Sequence, residues 1–141
     1  MTNPQSIADI PIGLRTKTAK TVSESDVYLL AGITGDLHPI HVNEEFCKTA
    51  GVGHRIAHGA LIVGYMSAAS TQILRGFELP MLSAGYDRIR FVKPVYFGDT
   101  LTVEYEITEV DKDRRRTLAK IEVTNQKGEM VAVATHIMQM V

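Results

Sequence analysis

The chain has 141 residues, with 15 Lys and Arg against 16 Asp and Glu and a formal net charge of −1. That length supports one compact core and falls short of two ordinary domains. Its charges are interspersed, so no basic tract points to nucleic acid, and a single cysteine, Cys47, excludes an intrachain disulfide framework and a cysteine-only zinc site.

Residues 1–13 are polar and proline-containing, without the apolar stretch of a signal peptide, and are expected to form a loose arm. Residues 14–22 alternate polar and apolar, as an edge strand does. Ser23 is a suitable N-cap, and Glu24 and Asp26 favour the start of a short helix that stops near Gly35. Asn43 caps a second short helix with Glu44 and Glu45 in its first turn, ending around Gly51.

Residues 59–74 contain no charge. Leu61, Ile62, Val63, Tyr65, Met66, Ala69 and Ile73 cover nearly every helical direction, which predicts a buried helix. A membrane span needs about 20 apolar residues, and this run is shorter and holds Ser67, Ser70, Thr71 and Gln72.

Strand patterns follow. Residues 81–92 form one, with Pro94 and Gly98-Asp99 marking the next turn. Leu101, Val103, Tyr105 and Ile107 alternate with polar residues, as do Ala119, Ile121 and Val123. Arg114 to Arg116 read as a hairpin tip in water. After a turn at Lys127-Gly128, residues 130–140 are apolar on both faces, which predicts a central strand covered on both sides. One buried helix beside about five antiparallel strands is an α+β layout. A second copy of the chain would cover the sheet's remaining face and edges.

The densest chemistry lies in Gly35-Asp36-Leu37-His38-Pro39-Ile40-His41. Glycine and proline both resist regular helix, so Asp36 and His41 are expected on a tight, stiff loop that aims both side chains at one point. A carboxylate that orients an imidazole, or shares a water with it, serves proton transfer near neutral pH.

That heptapeptide resembles the signature of the MaoC-like hydratase family, the (R)-specific enoyl-CoA hydratases with a hot-dog fold. His58-Gly59, opening the uncharged helix, and Arg90-Phe91-Val92-Lys93-Pro94-Val95, leading to Gly98-Asp99, resemble two further family stretches in order. Departures are His38 in place of the usual asparagine, Cys47 in place of a small residue, and Arg55 where relatives often have proline.

The resemblance implies a five-stranded antiparallel sheet wrapped around one long buried helix, in a homodimer or higher oligomer. It implies addition of water across the C2–C3 double bond of an enoyl thioester, and the reverse dehydration, in the cytoplasm. The substrate is an acyl-CoA thioester; no cofactor, metal, nucleic acid or membrane is implied. In that reading His41 is the main base and Asp36 orients the water and relays the proton. The Gly59 amide donates to the thioester oxygen, while His38 and Pro39 support the loop. Tyr65, Met66 and Ala69 are candidates for setting acyl length, and Arg88, Arg90 and Lys93 for holding coenzyme A phosphates. His58 is placed at the substrate, though a plain hydrogen bond to backbone is its stronger reading.

Competing readings are a hot-dog thioesterase, an acyl-carrier-protein dehydratase and a non-catalytic acyl-CoA-binding subunit. His54 and His58 have a spacing that suits two helix-borne metal ligands, but no HExxH accompanies them. Cys47 reads as a small core residue rather than a nucleophile.

Overall fold

A helix without charged side chains needs an apolar surface to lie on, and here the sheet supplies it. The computed structural model describes residues 5–141. A short 3-10 turn, Ile7–Asp9, precedes β1 (Arg15–Thr21), α1 (Glu24–Thr34), α2 (Pro39–Val42), α3 (Glu44–Thr49) and α4 (Gly59–Ile73). Four strands follow: β2 (Met81–Phe91), β3 (Thr100–Asp111), β4 (Arg116–Thr124) and β5 (Met130–Met140). The strands form one antiparallel sheet in the order β1-β3-β4-β5-β2. This is the expected α+β hot-dog arrangement.

Alternation builds the core. Leu101, Val103, Tyr105 and Ile107 of β3 are buried together with Ala119, Ile121 and Val123 of β4. Against them α4 presents Ile62, Met66, Ala69, Ser70 and Ile73, all buried. Those positions recur at helical spacing and make one apolar stripe. The opposite side of α4 differs from expectation: Ala60, Gly64, Ser67, Ala68 and Thr71 are exposed. The lack of charge in α4 therefore reflects an uncharged outer face of small residues as well as a buried inner one.

Two other expectations change. β5 has a neighbour on each side, but β4 is the central strand, and Val133 and Ile137 on β5's outer face are only half-buried. Among the described residues no second layer covers that face. The N-terminal arm is anchored from residue 5 onward, residues 1–4 lying outside the described region. Ile7 and Ile10 enter the core, the Ser6 and Asp9 side chains cap the 3-10 turn, and the Gly13 N–H donates to the Ile107 carbonyl at 2.7 Å.

Within the core sits one imidazole, that of His136, fully buried on β5. Its Nε2 lies 2.7 Å from Ser83 Oγ, its Nδ1 lies 2.9 Å from the Tyr105 hydroxyl, and the Tyr86 ring stacks on it at 4.2 Å. Burial disfavours the charged ring and pulls its pKa down to about 4. The unfolded chain binds a proton at this position near pH 6.5. Between those values the unfolded state holds more protons than the folded one, so stability falls as pH drops. Denaturant titrations are expected to show a loss of ~2–3 kcal/mol from His136 between pH 7 and pH 4. His136→Gln, though less stable at pH 7, should show a shallower pH slope; an unchanged slope contradicts the assignment.

Candidate active site

Helix α1 ends because Gly35 takes a left-handed conformation, φ +79°, which delivers Asp36 into the following turn. The Asp36 N–H donates to Thr34 Oγ1 at 3.2 Å. The tight segment expected around Pro39 closes into a single helical turn, α2, which carries His41. Pro39 occupies that turn's first position, where its missing N–H costs nothing. His38 is the N-cap, its Nδ1 accepting from the Ile40 N–H at 3.3 Å. A histidine thus does here what a capping asparagine does. Beneath the turn Cys47 is buried, its thiol donating to the Ile40 carbonyl at 3.3 Å, which makes it packing rather than a nucleophile.

The decisive contact joins α2 to the strap before α4. His41 Nδ1–H donates to the Ile56 carbonyl at 2.7 Å, which leaves Nε2 with a free lone pair. The strap is itself fixed: the Ile56 N–H donates to the Ile40 carbonyl at 3.0 Å, and the Ala57 N–H to the Val95 carbonyl at 2.8 Å. Arg55 ties it to two helices, donating to Glu44 Oε2 at 2.8 Å, Glu24 Oε1 at 2.5 Å and the Tyr28 hydroxyl at 2.9 Å, over the Phe97 ring. His41 is buried, and that burial lowers its pKa below 6.5. The Ile56 carbonyl and the Asp36 carboxylate oppose the shift, and His58 adds to it. The ring is therefore a neutral acceptor at pH 7.

His58, also buried, stacks on His41 with ring centres 3.6 Å apart and planes 24° from parallel. Its Nε2–H donates to the Asp36 backbone carbonyl at 2.9 Å, so it fixes the acid's main chain. One side-chain donor atom from each of Asp36, His41 and His58 lies within 4.8 Å of the others. A single water forming two hydrogen bonds spans about 4.6 Å and suits that separation. A metal ion suits it less. An ion sits in the plane of each imidazole that binds it, and stacked rings direct their lone pairs side by side. The His54 and His58 pair does not assemble either, since His54 turns away to Glu44 at 2.7 Å.

His41 opens on a cavity of about 430 Å³ lined also by Ile40, Ile56, Gly59, Phe91 and Lys93. The N-terminus of α4 faces it without any side-chain cap, so the Gly59 amide carries no intrahelical partner and a partial positive charge. A groove of similar size, about 450 Å³, lies over β1, β3 and β4, but opposite charges pair within it: Arg15 with Glu106, Lys17 with Glu104, Lys120 with Glu122.

The sequence matches the MaoC like domain over residues 9–131. The chain belongs to that family. It is 39% identical over 109 residues to the (R)-specific enoyl-CoA hydratase of Rhodospirillum rubrum, covering 76% of this chain and 72% of that protein. It is 37% identical over 127 residues to the 3-hydroxybutyryl-CoA dehydratase of Methylorubrum extorquens, covering 89% of this chain and 76% of that one. The unliganded R-hydratase PhaJ1 from Pseudomonas aeruginosa superposes with a TM-score of 0.81 at 28% identity, over 96% of this chain and 84% of that one.

This MaoC-like structure brings together Asp36, His38, Pro39, His41, His58 and Gly59; of these His41 and Gly59 line the cavity, as does Lys93, paired with Glu129 at 2.8 Å, while Asp36 and His58, expected at the substrate, stand behind that wall, as does the loop-supporting His38. Tyr65 and Met66, expected along the acyl path, are not on that wall. Met66 faces the sheet, fully buried. Tyr65 borders a separate cavity of about 210 Å³ with Lys20, Leu101 and Val103, its hydroxyl donating to Asp26 Oδ2 at 3.0 Å. Positions 65 and 66 share Ile62's side of the helix at i+3 and i+4, but lie about a full turn, roughly 5–6 Å, further along the axis from the end that borders the cavity. Arg88 and Arg90 are exposed on β2 and do not line the cavity either. Sequence reasoning missed the Ile56 carbonyl, because a backbone acceptor leaves no signature in residue types. Nitrogen-15 spectra are expected to show His41 as the Nδ1–H tautomer at pH 7, with a titration midpoint below 6.5. An Nε2–H tautomer contradicts this geometry.

Proposed function

We propose that this MaoC-like protein is an (R)-specific 2-enoyl-CoA hydratase that also catalyses the reverse dehydration of (3R)-hydroxyacyl-CoA. The observation that carries the reading is His41, its Nδ1 fixed on Ile56, clustered with the Asp36 carboxylate and lining the same cavity as the uncapped Gly59. Hydration needs a base for water, a proton source for C2 and donors at the thioester oxygen. His41 Nε2 takes a proton from the water as its oxygen bonds to C3. The π electrons move onto the thioester as an enolate, which the Gly59 N–H stabilises, and C2 takes up a proton relayed by Asp36. Removal of one such oxyanion donor typically costs about 10²–10³-fold in rate.

No cofactor enters this scheme, and coenzyme A takes part only as the carrier of the acyl group. Lys93 is the cation on the cavity wall and the best-placed partner for its phosphates. A homodimer completes the proposal. Three features of one chain support it: the free edge of β2 with Leu82 exposed on it and Val92 exposed just after it, the half-buried outer face of β5, and the uncharged outer face of α4. Among the described residues no helix is long and apolar enough to cross a membrane, and the lone buried thiol of Cys47 suits a reducing cytoplasm.

Purified protein mixed with crotonyl-CoA is expected to remove the conjugated enoyl absorbance and yield (3R)-hydroxybutyryl-CoA on chiral analysis. Asp36→Asn and His41→Ala should each lower kcat by about 10²–10⁴-fold. Release of free thiol without loss of the double bond would assign a thioesterase instead. Near wild-type rates in both variants would remove the pair from the chemistry.

A further inference from the structure

Phe91 stands at the end of β2 with a side chain that simple strand alternation does not place. Opposite residues of paired strands share a face, so Tyr86 lies with His136, and Phe91 lies with Ala132 on that same inner face. Five positions separate Tyr86 from Phe91, an odd number that strict alternation would send to opposite faces. The register break between Asp87 and Arg90 resolves the mismatch: β2 advances three residues while β5 goes back two, from Thr135 to Val133. This extra residue is a bulge, and it contains Arg88 in a left-handed conformation, φ +53°, unusual for a residue with a side chain. The bulge turns Phe91 back towards α4.

There its ring meets Gly59. A Cβ built on Gly59 would lie 2.5 Å and 2.6 Å from two ring carbons of Phe91. A Cβ there would have to push the half-exposed ring aside, so the ring as placed rests on bare backbone at the mouth of the helix. Phe91 lines the same cavity as His41 and Gly59 and remains half-exposed. A thioester oxygen bonded to the Gly59 N–H would hold its acyl C2 within a few ångströms of the Gly59 Cα, beside this ring. A methyl on C2 occupies about the same volume as the Cβ that the ring already excludes.

We propose that Phe91, seated on Gly59, is a specificity-determining residue that admits straight-chain thioesters and rejects those branched at C2. This rests on the hydratase reading for the placement of the thioester, and the test keeps the two apart. Saturated thioesters bind without reacting, so calorimetry with butyryl-CoA and 2-methylbutyryl-CoA reads selectivity in the absence of turnover. Wild type is expected to prefer butyryl-CoA by roughly 10–200-fold, the range one methyl group spans in an apolar pocket. Phe91→Ala should reduce that preference to within about threefold, and Phe91→Leu should fall between.

Gly59→Ala supplies a second readout, because alanine keeps the backbone N–H and adds only the methyl. It should weaken butyryl-CoA binding by roughly tenfold or more, and Phe91→Ala in the same chain should restore most of that loss. A preference unchanged by Phe91→Ala overturns the inference even if crotonyl-CoA is hydrated. A preference that behaves as expected in a protein that hydrates nothing upholds the inference and overturns the hydratase reading. Wild type that binds neither thioester overturns both.

Discussion

The hydrogen bond from His41 Nδ1–H to the Ile56 carbonyl, 2.7 Å long, is the constraint on which the rest depends. A neutral imidazole has one donor and one acceptor nitrogen, and this bond decides which is which. It spends the donor on a fixed backbone oxygen and leaves the acceptor free in a residue that lines the cavity. Burial keeps the ring from charging, while the carbonyl and Asp36 limit how far its basicity falls. The strap that carries Ile56 is pinned from several sides: by Ile40 of α2, by Val95, and by Arg55 to α1 and α3. A base held by backbone loses little entropy when substrate arrives.

His58 links the two halves of the site. It stacks on His41, holds the main chain of Asp36, and immediately precedes the glycine that opens α4. One residue thereby sets the acid, the base and the amide in a common frame. The helix ends at the cavity without a cap, leaving a partial positive charge where an enolate oxygen would gather negative charge. Across the mouth lies Phe91, placed by a strand bulge that also leaves Arg88 in a left-handed conformation. Strain of that kind commonly accompanies a functional site.

Periodicity made much of the fold legible. The alternation in β3 and β4, the caps at Ser23 and Asn43, and the turn glycines at 35 and 128 all appear in the structure. Local pattern failed where tertiary contacts decide. Ile7 and Ile10 read as part of a polar arm because their partners lie on distant strands. Residues 59–74 read as buried all round, because a sequence without charge does not distinguish a core face from a bare outer one. At the site, the acid, the imidazole and the glycine were readable as side chains with known chemistry. Tyr65 and Met66 stand off this cavity's wall because sequence shows the helix but not how far along it the cavity reaches. The Ile56 carbonyl and the Phe91 contact were invisible, one being backbone and the other the product of a broken register.

The central claim is geometric: one water held between Asp36 and His41 Nε2 faces the C2–C3 bond of a thioester whose oxygen lies on the Gly59 amide. A crystal structure with a bound, unreactive butyryl-CoA tests it most directly. The account predicts the thioester oxygen within about 3 Å of the Gly59 nitrogen, and an ordered water bridging the carboxylate and the ring nitrogen next to C3. A thioester bound with its carbonyl away from α4, or a His41 ring turned so that Nε2 meets Ile56, would contradict it.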